Sequence, residues 1–285
     1  MTDRDWGGIA AYYDNLSRFL EVAQRVGRGG GSAQNATHRF LTAATGEEVD
    51  TPGPERLDHI VLAAAEKCGV KRDPRVLDAG CGLGGTIFHW QGRMGGHYDG
   101  LTLSPEQARR ASAAAQRRGI AGACRFHVRS YHDPIAGGYD AVIAIESLAH
   151  SADPAAAIAN LGAALAPGGL FVIVDDMPEP KVRADLLHGF KKGWRCPVLL
   201  DRSGFAKAAA SAGLEVVEEE DLTPRLRPRP LAWLRVLIGA FAVAQRLAPT
   251  QAARAVIGAF LGGFYLEALY RTGGMRYRLL VAKKR

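Results

Sequence analysis

The chain has little cysteine, no leader pattern and no long apolar run. Its four cysteines among 285 residues, Cys68, Cys81, Cys124 and Cys196, show no paired spacing. Neither a disulfide framework nor a zinc site is indicated, which fits a reducing compartment. The opening residues, MTDRDWGG, lack a basic-then-apolar signal. No apolar run reaches the ~18 residues of a membrane span, because Arg235, Gln245 and Arg246 interrupt the most apolar region. These absences lead to the expectation of a cytoplasmic protein. There is no internal repeat. The net charge is +7, but the basic residues are scattered, with pairs at 109–110, 117–118 and 191–192. No RNA-binding aromatic motif accompanies them, so nucleic acid is not expected as a partner.

What is present is ordinary for a globular chain, 47% hydrophobic and 23% charged. Residues 8–26 carry apolar positions at helical spacing, 27–32 is a glycine-rich loop, and 38–45 and 54–68 read as further helices. From residue 75 the rhythm changes. Short apolar runs at 75–80, 97–103, 124–128, 139–146 and 170–176 alternate with helical stretches at 84–92, 105–118 and 154–165. Ser104 and Pro105 open the second of these helices as N-cap and first residue. Such alternation builds a parallel sheet with helices on both faces. A helix at 201–212, a strand at 214–222 and a strand at 275–284 follow. The 223–274 excursion between the last two strands holds two or three apolar helices. The expected fold is α/β: a seven-stranded Rossmann-like sheet with a helical cap at 1–70, a core at 71–222, a helical lid at 223–273 and the last core strand at 274–285.

The segment Val76-Leu77-Asp78-Ala79-Gly80-Cys81-Gly82-Leu83-Gly84-Gly85 reads as a strand, a glycine loop and a helix start. Glycines let a ligand approach the backbone closely, and the first crossover of such a sheet is where nucleotides bind. The spacing departs from the dinucleotide fingerprint G-x-G-x-x-G. Asp78, two residues before the first glycine, suits a cationic ligand end and would repel a pyrophosphate. After the second strand, Gly100-Leu101-Thr102-Leu103-Ser104-Pro105-Glu106-Gln107 has no acid where a dinucleotide-binding protein holds its ribose. After the third strand, Ser130 and Tyr131 could meet a purine, one by a hydrogen bond and one by ring stacking. The fourth strand ends Ile145-Glu146-Ser147-Leu148-Ala149-His150, and strand ends of this kind face the ligand crevice. Glu146 can act as a base or steady a cation, and His150 is the second candidate.

These motifs resemble the class I S-adenosylmethionine-dependent methyltransferases. D-A-G-C-G-x-G-G is similar to their motif I, and seven strands with a long excursion before the last is their pattern. G-L-T-L-S-P-E-Q and E-S-x-x-H-x-x-D-P resemble a subgroup: sterol and geranyl diphosphate C-methyltransferases, and cyclopropane fatty acid synthases. The resemblance implies S-adenosylmethionine as cofactor, held by Asp78, Gly80, Gly82, Thr102, Leu103, Gln107, Ser130 and Tyr131, with Glu146 and His150 catalytic and no metal assigned. Tyr12, Tyr13 and Asp14 resemble the Y-Y-D that opens many of these enzymes, and His38 is a weaker candidate. The expected reaction is methyl transfer to a small hydrophobic acceptor, a carbon of an isoprenoid or related lipid-like metabolite. The alternative is O- or N-methylation of a sugar, phenol or quinone. A donor-binding scaffold and a dinucleotide oxidoreductase are the other readings, the first opposed by Glu146 and the intact loop, the second by Asp78. The apolar lid could touch a membrane peripherally, and a homodimer is left open.

Overall fold

Short β-branched runs alternating with amphipathic helices give this chain one sheet covered on both faces. The structure, a computed structural model, describes residues 41–43, 51 and 53–285. The helix expected at 8–26, the loop at 27–32 and Tyr12, Tyr13, Asp14 and His38 lie outside the described residues. Of the helix expected at 38–45, Leu41, Thr42 and Ala43 are described and are not helical; the Thr42 N–H donates to the Arg225 carbonyl at 2.9 Å instead.

In chain order the elements are α1 (Arg56–Lys67), β1 (Arg75–Ala79), α2 (Gly85–Met94), β2 (His97–Thr102), α3 (Pro105–Arg117), β3 (Cys124–Val128), β4 (Tyr139–Ile145), α4 (Pro154–Ala164) and β5 (Leu165–Pro178). There follow α5 (Ala184–Trp194), α6 (Arg202–Ser211), β6 (Leu214–Asp221), α7 (Leu231–Leu247), α8 (Gln251–Arg271) and β7 (Met275–Lys284). The sheet order is β3-β2-β1-β4-β5-β7-β6. Strands β1 to β5 pair in parallel, whereas β7 runs antiparallel between β5 and β6. Strand alternation splits the core into two layers. Along β4, Ala141, Ile143 and Ile145 pack on the side of α1 and α2, and Val142 and Ala144 on the side of α4 and α6.

Helix α5 falls in the stretch 177–200, where the sequence pattern alone predicts no element. Its apolar residues Leu186, Phe190 and Trp194 stand four apart, the spacing of a helix face. It lies against α8 through glycines: a Cβ on Gly193 would come within 2.5 Å of the Gly262 Cα. The excursion contains a short 3-10 helix at Thr223–Arg225 and two α-helices, α7 and α8. At 21 residues α8 is long and apolar enough to cross a membrane by length and composition, contrary to the expectation of no such run. Within the fold it buries Leu261, Phe264, Leu266 and Leu269 in a third apolar cluster with Leu186 and Phe190 of α5 and Leu234 of α7.

Candidate active site

The sheet order reverses between β1 and β4, and their carboxyl ends open on the crevice where sheets of this kind take ligands. The loop after β1 is pinned to β2, since the N–H groups of Gly80 and Cys81 both donate to the Leu101 carbonyl, at 3.0 and 2.9 Å. Gly80, Gly82 and Gly84 have φ of +117°, +53° and +83°, the left-handed region that disfavours side chains. Their surroundings differ. A Cβ on Gly80 would lie 2.5 Å from the Ser147 Cβ, and one on Gly84 2.9 Å from the Phe126 ring. At Gly82 no described residue lies within 4 Å. Two glycines therefore permit packing, and the third leaves room above the loop. Asp78 is buried just below it, at 3% exposure. Burial, with the Asp78 carboxylate adding to it, pushes the Cys81 thiol well up, so Cys81 is no thiolate nucleophile.

Thr102 ends β2, and its hydroxyl donates to Gln107 Oε1 at 2.8 Å. Ser104 caps α3, accepting from the Gln107 N–H at 3.0 Å. Gln107 is 4% exposed, so it is an interior residue and no surface amide. Leu103 is half-buried between them. The nearest acid in sequence, Glu106, faces Arg109 and Arg110 at 2.8 and 2.6 Å, which bring its carboxyl down to about 2.

Ser130 closes a tight turn: its hydroxyl accepts from the His132 N–H and its own N–H donates to Asp133. Tyr131 is buried in the core layer that contains Leu77, Ala79, Leu101 and Leu148, and its hydroxyl donates to the Ser147 carbonyl at 3.1 Å. Burial pushes its phenol above the ordinary range. The ring is thus a wall joining the loops after β3 and β4.

Glu146 follows β4 with φ +52°, a conformation rare for a side chain this large. Its N–H donates to the Val174 carbonyl at 2.8 Å, and its Oε1 accepts from the Tyr277 hydroxyl at 2.6 Å. Tyr277 lies on β7 and is fully buried. Its one signal in sequence is an aromatic on the inward phase of MRYRLL. In sequence the Asp175–Asp176 pair reads as a strand end. Asp175 Oδ2 accepts the Ala149 N–H at 3.1 Å, which holds the 148–150 turn, and Asp176 accepts the Tyr270 hydroxyl. Asp58 of α1, fully buried, accepts the Thr86 hydroxyl at 2.7 Å and ties the preceding helix to the start of α2.

His150 is half-buried as a residue, with Nδ1 sealed from solvent. Burial lowers it to about 4, against the opposing pull of the Arg195 carbonyl and of Glu146. At neutral pH it is an uncharged imidazole and a weak base. Because its folded value lies below the ordinary 6.5, the unfolded chain takes up this proton first as pH falls. Stability is therefore lost between about pH 6.5 and 4. His150→Gln, which cannot titrate, is expected to show a smaller drop in denaturant midpoint between about pH 7 and 4.5. An equal drop would show that other groups set the slope.

Structure thus brings together Asp78, Gly80, Gly82, Thr102, Gln107 and the 146–150 turn at one edge of the sheet, with Ser147 against Gly80 as the join. A cavity of about 210 Å³ opens elsewhere, between Trp194, Phe260, Phe264 and the Arg229–Glu267 ion pair, and shares no lining residue with this edge.

Residues 77–171 match the family model described as Methyltransferase domain. A probable chloroplastic tocopherol O-methyltransferase of Oryza sativa subsp. japonica is 27% identical over 78% of this chain and 63% of its own length. A 24-methylenesterol C-methyltransferase 2 of the same plant is 28% identical over 62% and 51%. The chain therefore spans about half to three fifths of the length of these relatives. A solved geranyl diphosphate methyltransferase, in complex with GPP and sinefungin, superposes with TM-score 0.72 at 22% identity, covering 98% of this chain and 99% of that one. Residues 77–171 are thus similar to a methyltransferase domain, and the sheet shares the Rossmann-like fold of the superposed geranyl diphosphate methyltransferase.

Proposed function

We propose that the chain transfers a methyl group from S-adenosylmethionine to a small hydrophobic acceptor, a carbon of an isoprenoid or related lipid-like metabolite. The observation that carries this reading is the packing of the Ser147 turn on Gly80, which sets Glu146 beside the glycine loop. The residues fit the donor. The open space at Gly82 admits it close to backbone, Asp78 offers a buried carboxylate for its cationic end, and Thr102 with Gln107 offers polar partners for ribose hydroxyls. S-adenosylmethionine supplies, when bound, an electrophilic methyl group on a positively charged sulfur.

The protein's own contribution is position and dryness. Leu148, Ala149 and Ile145 flank Glu146 and are each less than a tenth exposed, so the carboxylate works among apolar walls. An alkene acceptor that forms a bond to the methyl carbon is left with a carbocation. The Glu146 carboxylate steadies that charge and takes a proton from the adjacent carbon, restoring a double bond. Tyr277 holds the carboxylate by its hydroxyl and is a positioning residue. O- or N-methylation would call on a base for a hydroxyl or amine proton, and that base too would be Glu146 rather than the weakly basic His150.

The test is incubation with radiolabelled donor and a panel of prenyl diphosphates, triterpenes, quinones and phenols. Label in a prenyl or triterpene product is expected. Label confined to quinones or phenols selects the O-methyl alternative, and none at all sinks the reading. A narrower expectation concerns the ribose. Gln107→Ala weakens S-adenosylhomocysteine binding by ~0.5–1.5 kcal/mol, the net worth of a neutral hydrogen bond. Unchanged affinity in calorimetry would leave Gln107 only its bond to Thr102.

A further inference from the structure

Most of helix α7 is turned outward, and what it shows to solvent is apolar apart from Arg235 and Arg246. Trp233, Val236, Val243 and Leu247 are 67%, 66%, 54% and 78% exposed, and they make up half of the large exposed hydrophobic residues among the described ones. With the exposed Ala240 their spacings are three, four, three and four, so they form one straight stripe along the helix. The opposite face of α7, Leu234, Leu237, Ile238 and Phe241, is spent on the third apolar cluster. Among the described residues, none of the three apolar clusters takes in the stripe.

Charge says what it fits. Between Asp221 and Glu267 the chain has six arginines and no acidic residue. Two of them, Arg235 and Arg246, are eleven residues apart, three helical turns, and so share one edge of the stripe. Both are exposed, and neither makes an ion pair among the described residues. A second copy of the chain meeting this face about a two-fold axis would set arginines against arginines with no acid to offset them. A bilayer with anionic headgroups meets both features at once: the stripe enters the interface, Trp233 sits at headgroup depth, and the arginine edge pairs with the lipid charge.

We infer that α7 is an interfacial anchor that docks the protein on an anionic lipid surface. Helix α8, despite its length, stays in the protein, packed on α5. The inference stands apart from the methyl-transfer reading, since none of its residues belongs to the glycine-loop site.

The experiment is co-sedimentation of the full chain with vesicles of phosphatidylcholine containing about one third phosphatidylserine, and with phosphatidylcholine alone. The full chain is expected to pellet with the first and to be released as salt rises from ~0.1 to ~1 M, which shortens the screening length from about 10 to 3 Å. Each basic residue near such a surface gives roughly a fivefold gain in partition, so Arg235→Glu with Arg246→Glu should lose about twenty-five-fold or more. Trp233→Asp with Val243→Asp should abolish pelleting. All four sites are exposed, and unchanged S-adenosylhomocysteine affinity and thermal midpoint verify that these variants fold. Failure of the full chain to pellet overturns the inference. So does equal pelleting on phosphatidylcholine alone, which removes the anionic partner. A dimer in light scattering that Trp233→Asp splits would assign the face to a second copy and overturn it likewise.

Discussion

Glu146→Gln is expected to lower kcat by ~10²–10⁴, the usual worth of a general base, while S-adenosylhomocysteine affinity and thermal midpoint stay near those of the unchanged protein. Glutamine keeps the shape of the side chain, and its amide oxygen can still accept from the Tyr277 hydroxyl, which reaches Glu146 Oε1 at 2.6 Å. What it loses is the negative charge and the ability to take a proton. The backbone sharpens the case. A non-glycine residue at φ +52° is held there by its surroundings, here the bond to the Val174 carbonyl, and such residues gather at functional sites. Near-normal turnover by Glu146→Gln would make Glu146 a structural hydrogen-bond acceptor only. The search for a base would then move to His150, whose value near 4 makes it a poor one.

Gly82→Val is expected to abolish donor binding in calorimetry and to leave a folded protein. A side chain there meets no described residue within 4 Å, so it projects into the space where the proposed donor would lie. The left-handed φ of +53° charges the variant about 1–2 kcal/mol of strain, a few degrees of Tm for a chain of this size. Gly80→Ala separates the two effects. Its Cβ would fall 2.5 Å from the Ser147 Cβ, so it disturbs the 146–150 turn itself and lowers stability more. Retained donor affinity in Gly82→Val would remove the glycine loop from the site.

The stretches that sequence places well are those in which the signal is local. The strands at 124–128 and 275–284 were bounded as found, and the glycine loop, the Ser104 cap and the acid-free end of β2 could be read residue by residue. Other features depend on partners far along the chain. Insertion of β7 between β5 and β6 is a matter of pairing across the sheet, which periodicity does not encode. Tyr277 and Glu146 are 131 residues apart, so neither local pattern announces the bond between them. Helix α5 was different: its i, i+4, i+8 face was legible but stood among Pro, Gly and Lys that blur a periodic count. Gln107 changed in character. As one residue of a helix's first turn it could pass for surface, and only the packed α3–β2 junction shows it buried beside Thr102.

Donor recognition by the loop after β1 is the claim on which the rest stands. It is tested most directly by titrating the unchanged full chain with S-adenosylhomocysteine and, separately, with NADH in a calorimeter. The account expects one S-adenosylhomocysteine site per chain and no NADH heat, because Asp78 beneath the glycines repels a pyrophosphate and no acid awaits the ribose after β2. NADH binding more tightly than S-adenosylhomocysteine, or S-adenosylhomocysteine binding undiminished in Gly82→Val, would contradict it.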